Sequence, residues 1–321
     1  MPRAGGLRSP RVAGARTAGG LLLAAATASA ALAGGLPESS LEVLAAGGKR
    51  VSFWSSRRAP AAWRSSDPDV AGAVAWREAA AGMEWGELPV SGSGEAWRLT
   101  VVLVRVDPAR VRLELVEASR EAGTLPDWSL SSLPEGAVLG LNAGQFTGGA
   151  PWGWLVRGGR VVQRPGSGPL SMALSTDRAG RVRFLAAGEI PATGPGTALE
   201  AFQSYPVLLS GDGEVPPPLG SPGRGVDAAH RDARLALGEL RDGRLLVALT
   251  RFAAAGDALS ALPFGPTVPE TAALLGALGC RKAVMLDGGI SAQLAVRDAS
   301  GALRTWRGFR KVPLALVAYP R

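Results

Sequence analysis

The sequence predicts an α+β fold, a mixed and largely antiparallel sheet with a few packed helices. Three observations carry that expectation. Short apolar runs alternate with Gly- and Asp-containing turns along most of the chain; 44 glycines and 24 prolines in 321 residues leave little room for long helices; and only residues 267–279 carry a full set of helix start and stop signals.

Taken in order, the chain begins with Arg3, Arg8, Arg11 and Arg16 ahead of an Ala-rich apolar run, residues 18–33. Ala28-Ser29-Ala30 or Ala31-Leu32-Ala33 supplies a small-x-small cleavage site. Residues 1–33 therefore read as a signal peptide, so the expected location is secreted or periplasmic, with membrane contact only through an uncleaved signal. Residues 34–82 form a variable N-terminal region with one expected helix over 70–81, and residues 83–321 form the main domain.

Within that domain, residues 98–106 and 111–117 flank Asp107-Pro108 and read as paired strands, with Val111, Leu113 and Leu115 alternating against Arg112 and Glu114. Hairpins are expected at 154–157 with 160–163 about Gly158-Gly159, at 170–175 with 181–185, and at 234–240 with 244–250 about Asp242-Gly243. Thr267 and Glu270 make a capping box, Leu274, Leu275 and Leu278 an apolar stripe, and Gly279 a stop, so a helix feeds directly into the buried strand that ends at Leu286. Residues 188–196 and 215–225 read as loops, the second a candidate lid.

Composition narrows the chemistry. The net charge is +8, of which the four N-terminal arginines supply half; arginine outnumbers lysine 32 to 3, and no basic block interleaves with aromatics, so no nucleic-acid partner is expected. A single cysteine, Cys280, excludes an intrachain disulfide and a thiolate cluster. A single histidine, His230, excludes multi-histidine zinc sites, and the Gly-x-Ser-x-Gly elbow of serine hydrolases is absent. No cofactor fingerprint stands out, which leaves a divalent cation held by Asp and carbonyl oxygens as the remaining option.

Two segments place polar groups at strand mouths. In Val284-Met285-Leu286-Asp287-Gly288-Gly289-Ile290-Ser291 an apolar strand ends on a carboxylate followed by glycines that admit close backbone approach. Asn142-Ala143-Gly144-Gln145, after the strand 137–141, again gathers small and amide residues, with Trp152 and Trp154 nearby. A third, His230-Arg231-Asp232-Ala233-Arg234, sets a guanidinium fork at a strand start, suited either to bidentate phosphate capture or to a solvated turn, with His230 able to titrate near neutrality.

Asn142-Ala143-Gly144, the Gly153 after Pro151-Trp152, Gln203-Ser204-Tyr205-Pro206 ahead of Gly211-Asp212-Gly213, Arg234 leading into Leu237-Gly238, and Leu286-Asp287-Gly288-Gly289 with Ser291 occur in the order seen in the phosphodiester glycosidase family. The chain resembles a bacterial branch of that family from about Trp85 to its C-terminus. Two departures stand out: Ile290 and Ala292 where the family usually has Gly and Ser, and Thr250-Arg251-Phe252 where many members have Asp-Gly-Arg.

The resemblance implies cleavage between a sugar anomeric carbon and a phosphate oxygen. Asp287 then serves as the carboxylate beside an oxocarbenium-like transition state, and His230 joins it as a second catalytic residue. Arg234 and the N–H groups of Gly288 and Gly289 receive the phosphate, Asn142, Gly144 and Ser291 contribute to substrate binding, and Trp152 and Trp154 line a sugar site, with a core role for one of the two as the equal alternative. The implied partner is a glycan or sugar phosphodiester. A non-catalytic glycan- or phosphate-binding envelope protein and a metal-dependent phosphodiesterase are the alternatives. On any of these readings Asn142, Arg234, Asp287, Gly288 and Gly289 should converge on one concave site bordered by His230.

Overall fold

The computed structural model describes residues 38–321 except 46, 81, 118–127, 169, 221–225, 254–259 and 261. The signal-peptide reading of residues 1–33 and the tip of the candidate lid fall outside the described residues.

Three large antiparallel sheets and a two-stranded ribbon, Phe146–Thr147 with Ala150–Pro151, build the described part. The largest runs, in spatial order, Val207–Leu209, Cys280–Met285, Leu235–Leu240, Leu245–Phe252, Leu99–Val106, Met83–Gly92, Ser40–Leu44 and Arg50–Ser55, with Arg77–Glu78 pairing beside Met83–Gly92. A second holds Arg160–Gln163, Leu155–Arg157, Ala198–Ser204, Met172–Asp177 and Val182–Ala186. The third holds Leu303–Trp306, Leu294–Arg297, Leu139–Asn142, Leu314–Pro320 and Val111–Glu117.

The main core lies among these sheets, and the central strands of the large sheet are buried on both faces. In Leu99–Val106, Val102, Val104 and Val106 join the central core while Leu99, Val101 and Leu103 join a second core on the outer face, which also takes Val268, Leu274 and Leu275 of a helix. Central strands of this kind show no apolar–polar alternation because neither face meets water.

The three expected hairpins form, with Leu155↔Gln163, Leu174↔Phe184 and Leu237↔Val247 among their partners. So does the helix, Val268–Ala277, in which Thr267 Oγ1 accepts from the Glu270 N–H at 3.3 Å and Glu270 Oε2 accepts from the Thr267 N–H at 2.8 Å. Gly279 follows in a left-handed conformation, φ +92°, as a helix stop requires.

Four expectations need correction. The fold is β-rich, and every strand pair among the described residues is antiparallel: the strand 280–285 that follows the helix runs antiparallel to both its neighbours, so the sheet is not mixed. Helices play a smaller part than an α+β class suggests, only 68–72 and 268–277 being α-helical among the described residues. The helix expected over 70–81 stops at Gly72: Asp67 caps it by accepting from the Asp69 and Val70 N–H groups, and the chain then turns into the strand Arg77–Glu78, which pairs with Glu84 and Trp85. Finally, 99–106 and 111–117 do not pair with each other. Both edges of the first are already occupied by Met83–Gly92 and Leu245–Phe252, so the chain turns a corner at Asp107 and the second strand pairs with Leu314–Pro320 in another sheet. Residues 40–55, assigned from sequence to the variable region, add two strands to the large sheet.

Cys280 is fully buried, and burial pushes its thiol well above the ordinary range, which leaves it an inert core residue.

Candidate active site

Asp287 follows the strand 280–285 and its backbone is held from two sides. Its N–H donates to the Gly144 carbonyl at 2.8 Å, and its own carbonyl accepts from Asn142 Nδ2 at 2.8 Å. Asn142 Oδ1 in turn accepts from the Gln293 N–H at 3.1 Å. Asn142 is fully buried with both ends of its amide engaged, so it fixes the Asp287 loop rather than presenting itself to a sugar. Gly144 has φ +75°, and a Cβ there would stand 3.2 Å from the Gln203 carbonyl; the glycine lets its carbonyl reach Asp287.

The Asp287 carboxyl accepts hydrogen bonds from the Ser291 hydroxyl and the Gly288 N–H. Burial nonetheless raises its pKa, against those hydrogen bonds and the charge of Arg310, and the nearby Asp232 pushes it in the same direction as burial. The two glycines stand differently. The Gly289 N–H donates to the Ala233 carbonyl at 2.7 Å and so is not an open phosphate donor, while the Gly288 N–H lies beside the Asp287 carboxyl. What the glycines provide is approach: a Cβ on Gly288 would stand 2.5 Å from the Ala233 carbonyl oxygen, and one on Gly289, at φ +57°, would stand 2.8 Å from Asp232 Oδ2.

That approach brings in a residue that sequence reasoning passed over. Asp232 carries no sequence signal beyond its place in the His230–Arg234 segment, yet its carboxylate lies against Gly289 and its charge acts on Asp287. Burial raises its pKa too, opposed by Arg234, by a hydrogen bond from the Ala233 N–H and by His230. His230 is exposed at the edge of the site, with Nε2 3.8 Å from Asp232 Oδ2. The only hint of Asp232 in the sequence was an acid two residues from the strand that pairs with the Asp287 strand.

Arg234 is held largely by backbone groups. Its side chain is buried and spends Nε on the Pro266 carbonyl at 3.0 Å and Nη2 on the His230 carbonyl at 2.5 Å, while its N–H donates to Thr250 Oγ1 at 2.7 Å. It braces the loop carrying His230 and Asp232 and supplies that loop with positive charge. Arg234→Lys is expected to lower stability by about 1–2 kcal/mol, since one ammonium cannot reach both carbonyls; denaturant midpoints check this, and an unchanged midpoint overturns the bracing role.

Of the two tryptophans, Trp154 is core: it is 1% exposed, among Val156, Ala173 and Ala201. Its N–H and that of Gly166 both donate to Gln203 Oε1. Trp152 is half-buried, and its ring meets that of Tyr205 edge-on at 4.9 Å. Gln145 ties this pair to the Asp287 side of the site: its Nε2 donates to the Tyr205 carbonyl at 3.0 Å and its carbonyl accepts from the Trp152 N–H at 2.7 Å. Across the loop, the N–H groups of Phe309 and Arg310 donate to the Ile290 carbonyl at 2.8 and 2.9 Å.

Contacts along two loops bring Asn142, Gly144, Asp287, Gly288 and Gly289 together with the segment His230–Arg234, with Ser291, Asp232 and Arg310 beside Asp287. Two carboxylates with raised pKa, an exposed histidine and an arginine can together exchange protons and bind an anion. Among the described residues no group of three or more His, Cys, Asp or Glu is placed to hold a metal ion.

The backbone resembles the catalytic domain of zebrafish N-acetylglucosamine-1-phosphodiester alpha-N-acetylglucosaminidase, auto-inhibited by its pro-peptide, with TM-score 0.57 and 16% identity over 78% of this chain and 89% of that one. A hypothetical protein from Synechocystis gives TM-score 0.48 at 17% identity, over 75% of this chain and 62% of that one. A putative exported protein from Burkholderia pseudomallei K96243 gives TM-score 0.48 at 17% identity, over 70% and 74%. At such identities the likeness is one of fold. No curated protein matches the sequence. The sequence profile of the phosphodiester glycosidase family matches residues 135–319, more than half of the chain and the span that holds every residue of this site, and the chain belongs to that family.

Proposed function

We propose that the protein is a secreted hydrolase that cleaves the bond between a sugar anomeric carbon and the phosphate oxygen of a glycosyl phosphodiester in an envelope or exported glycan. The observation that carries this reading is the apposition of Asp287 and Asp232 across Gly289 in a chain of this family. The N-terminal arginines followed by an Ala-rich run support the location, since an exported enzyme meets such substrates.

In this mechanism Asp287 faces the anomeric carbon and stabilises the positive charge that grows as the carbon–oxygen bond breaks. The departing phosphate monoester is a weak base and needs little protonation, so positive charge suffices for it; Arg310 supplies that charge. Water adds its oxygen to the anomeric carbon and gives a proton to Asp232, whose raised pKa suits a base, and His230 at the rim passes the proton to solvent. The products are a free sugar and a phosphate monoester. Ser291 orients Asp287, and Trp152 with Tyr205 offers aromatic surface to the sugar ring.

The test is release of free sugar from a panel of sugar 1-phosphate alkyl esters by the purified protein, with and without chelator. Turnover that survives chelation is the expected result. Turnover lost to chelator would favour a metal-dependent phosphodiesterase, and binding without turnover would favour a glycan- or phosphate-binding envelope protein.

A further inference from the structure

Ile290 and Phe309 are two of the eight large hydrophobic side chains exposed among the described residues, at 45% and 65%, and Phe309 is the most exposed of all. Single exposed apolar residues are ordinary on a protein surface; two whose backbones are hydrogen-bonded together, in the segments that carry Ser291 and Arg310, are not. The two backbone hydrogen bonds to the Ile290 carbonyl fix this pair. Gly308 permits the contact, since a Cβ there would stand 2.8 Å from that same carbonyl oxygen. Beneath them Arg251 Nη2 donates to the carbonyls of Ala292 at 3.1 Å and Arg307 at 2.9 Å, fastening both loops to the large sheet, and Gln293 Nε2 donates to the Arg310 carbonyl at 3.3 Å. The pair is thus built on a braced platform.

Its neighbours in the chain are the groups that address Asp287. Ile290 precedes Ser291, whose hydroxyl binds the Asp287 carboxyl, and Phe309 precedes Arg310, whose charge acts on it. A phosphodiester has two ester oxygens. With the sugar at Asp287 and the phosphate drawn to Arg310, the second ester oxygen leads outward past Phe309 and Ile290. A polar alcohol would find no hydrogen-bond partner in these two side chains, whereas an apolar chain would lose water against them.

We propose that the substrate is a sugar 1-phosphate esterified to an apolar alcohol, an alkyl or isoprenoid chain, and that Ile290 and Phe309 form the subsite for that chain. The inference rests on the glycosidase reading above. It also gives a role to Ile290, which stands where the family usually has glycine.

Matched methyl and octyl esters of one sugar 1-phosphate, with the octyl ester kept below its micelle concentration, test it. The octyl ester is expected to give at least about 10-fold higher kcat/KM, and Ile290→Ser with Phe309→Ser should bring the octyl-to-methyl ratio toward one. Phe309→Ser alone should lower the ratio partway, which keeps the test available if the double variant fails to fold. Equal kcat/KM for the two esters in the wild-type protein overturns the inference while leaving the glycosidase reading intact. If neither ester is cleaved, that reading fails first, and calorimetric titration with octyl phosphate against methyl phosphate still decides the subsite: equal affinity overturns it. Binding to phosphatidylcholine vesicles that is lost in the double variant, with no preference between the esters, would assign the patch to a membrane surface and overturn it as well.

Discussion

Asp287→Asn is expected to lower kcat by about 10³-fold or more, because the exchange keeps the shape of the side chain and removes the charge that faces the developing cation. The same variant should be no less stable at neutral pH. Burial raises the folded-state pKa of Asp287 above its unfolded value near 3.8, so the folded state holds a proton that the unfolded state has released as pH climbs through that window. Stability contributed by this group is therefore present at low pH and lost as pH rises through the folded pKa, above which the wild-type protein carries the cost of a partly buried carboxylate. Asparagine removes that cost. The melting temperature of Asp287→Asn should match or exceed the wild-type value at pH 7 and the gap should close near pH 3.5; activity assays and melting curves at the two pH values check both halves. A variant with wild-type turnover would remove Asp287 from the chemistry, and a variant that unfolds at pH 7 would make it a structural residue.

How much of this site the sequence revealed depended on what each residue does. Asp287 stood out because a buried strand ending on an acid and two glycines is a local pattern, and the capping box of Thr267 and Glu270 is legible for the same reason. Asn142, Gly144 and Arg234 are legible as positions, not as roles. Their positions follow from strand ends, whereas their roles depend on which carbonyl lies opposite, and those partners, Asp287, Pro266 and His230, are set by the packing of different loops. Asp232 was hidden because its only distinguishing feature, contact with Gly289, is made across 57 residues of sequence. The pairing of 99–106 with 111–117 failed on the same ground: alternation shows that residues 111–117 form a strand with one wet face, but the sheet it joins is decided by which edges are already taken.

The loop that carries Asp232 is secured at its other side by a buried ion pair, and Arg231→Met should show how much that costs to lose. Arg231 reaches Glu270 with both arms of its guanidinium, Nη1 to Oε2 at 2.7 Å and Nη2 to Oε1 at 2.8 Å, and Glu270 is fully buried at the start of the helix Val268–Ala277. The Thr267 N–H also binds this carboxylate, and the helix N-terminus favours its charge, but neither replaces a guanidinium. Removing Arg231 strands a carboxylate in the core, for which a loss of about 3–5 kcal/mol is expected from buried pairs broken on one side. The companion Glu270→Gln tests the cause. If the loss comes from the orphaned charge, Arg231→Met with Glu270→Gln should be more stable than Arg231→Met alone, a non-additivity that denaturant unfolding of the four proteins measures directly. If the double variant is the less stable of the two, the guanidinium acts by filling space against Gly94, where a Cβ would stand 3.0 Å from Arg231 Nε, and the ion pair is not what holds the loop.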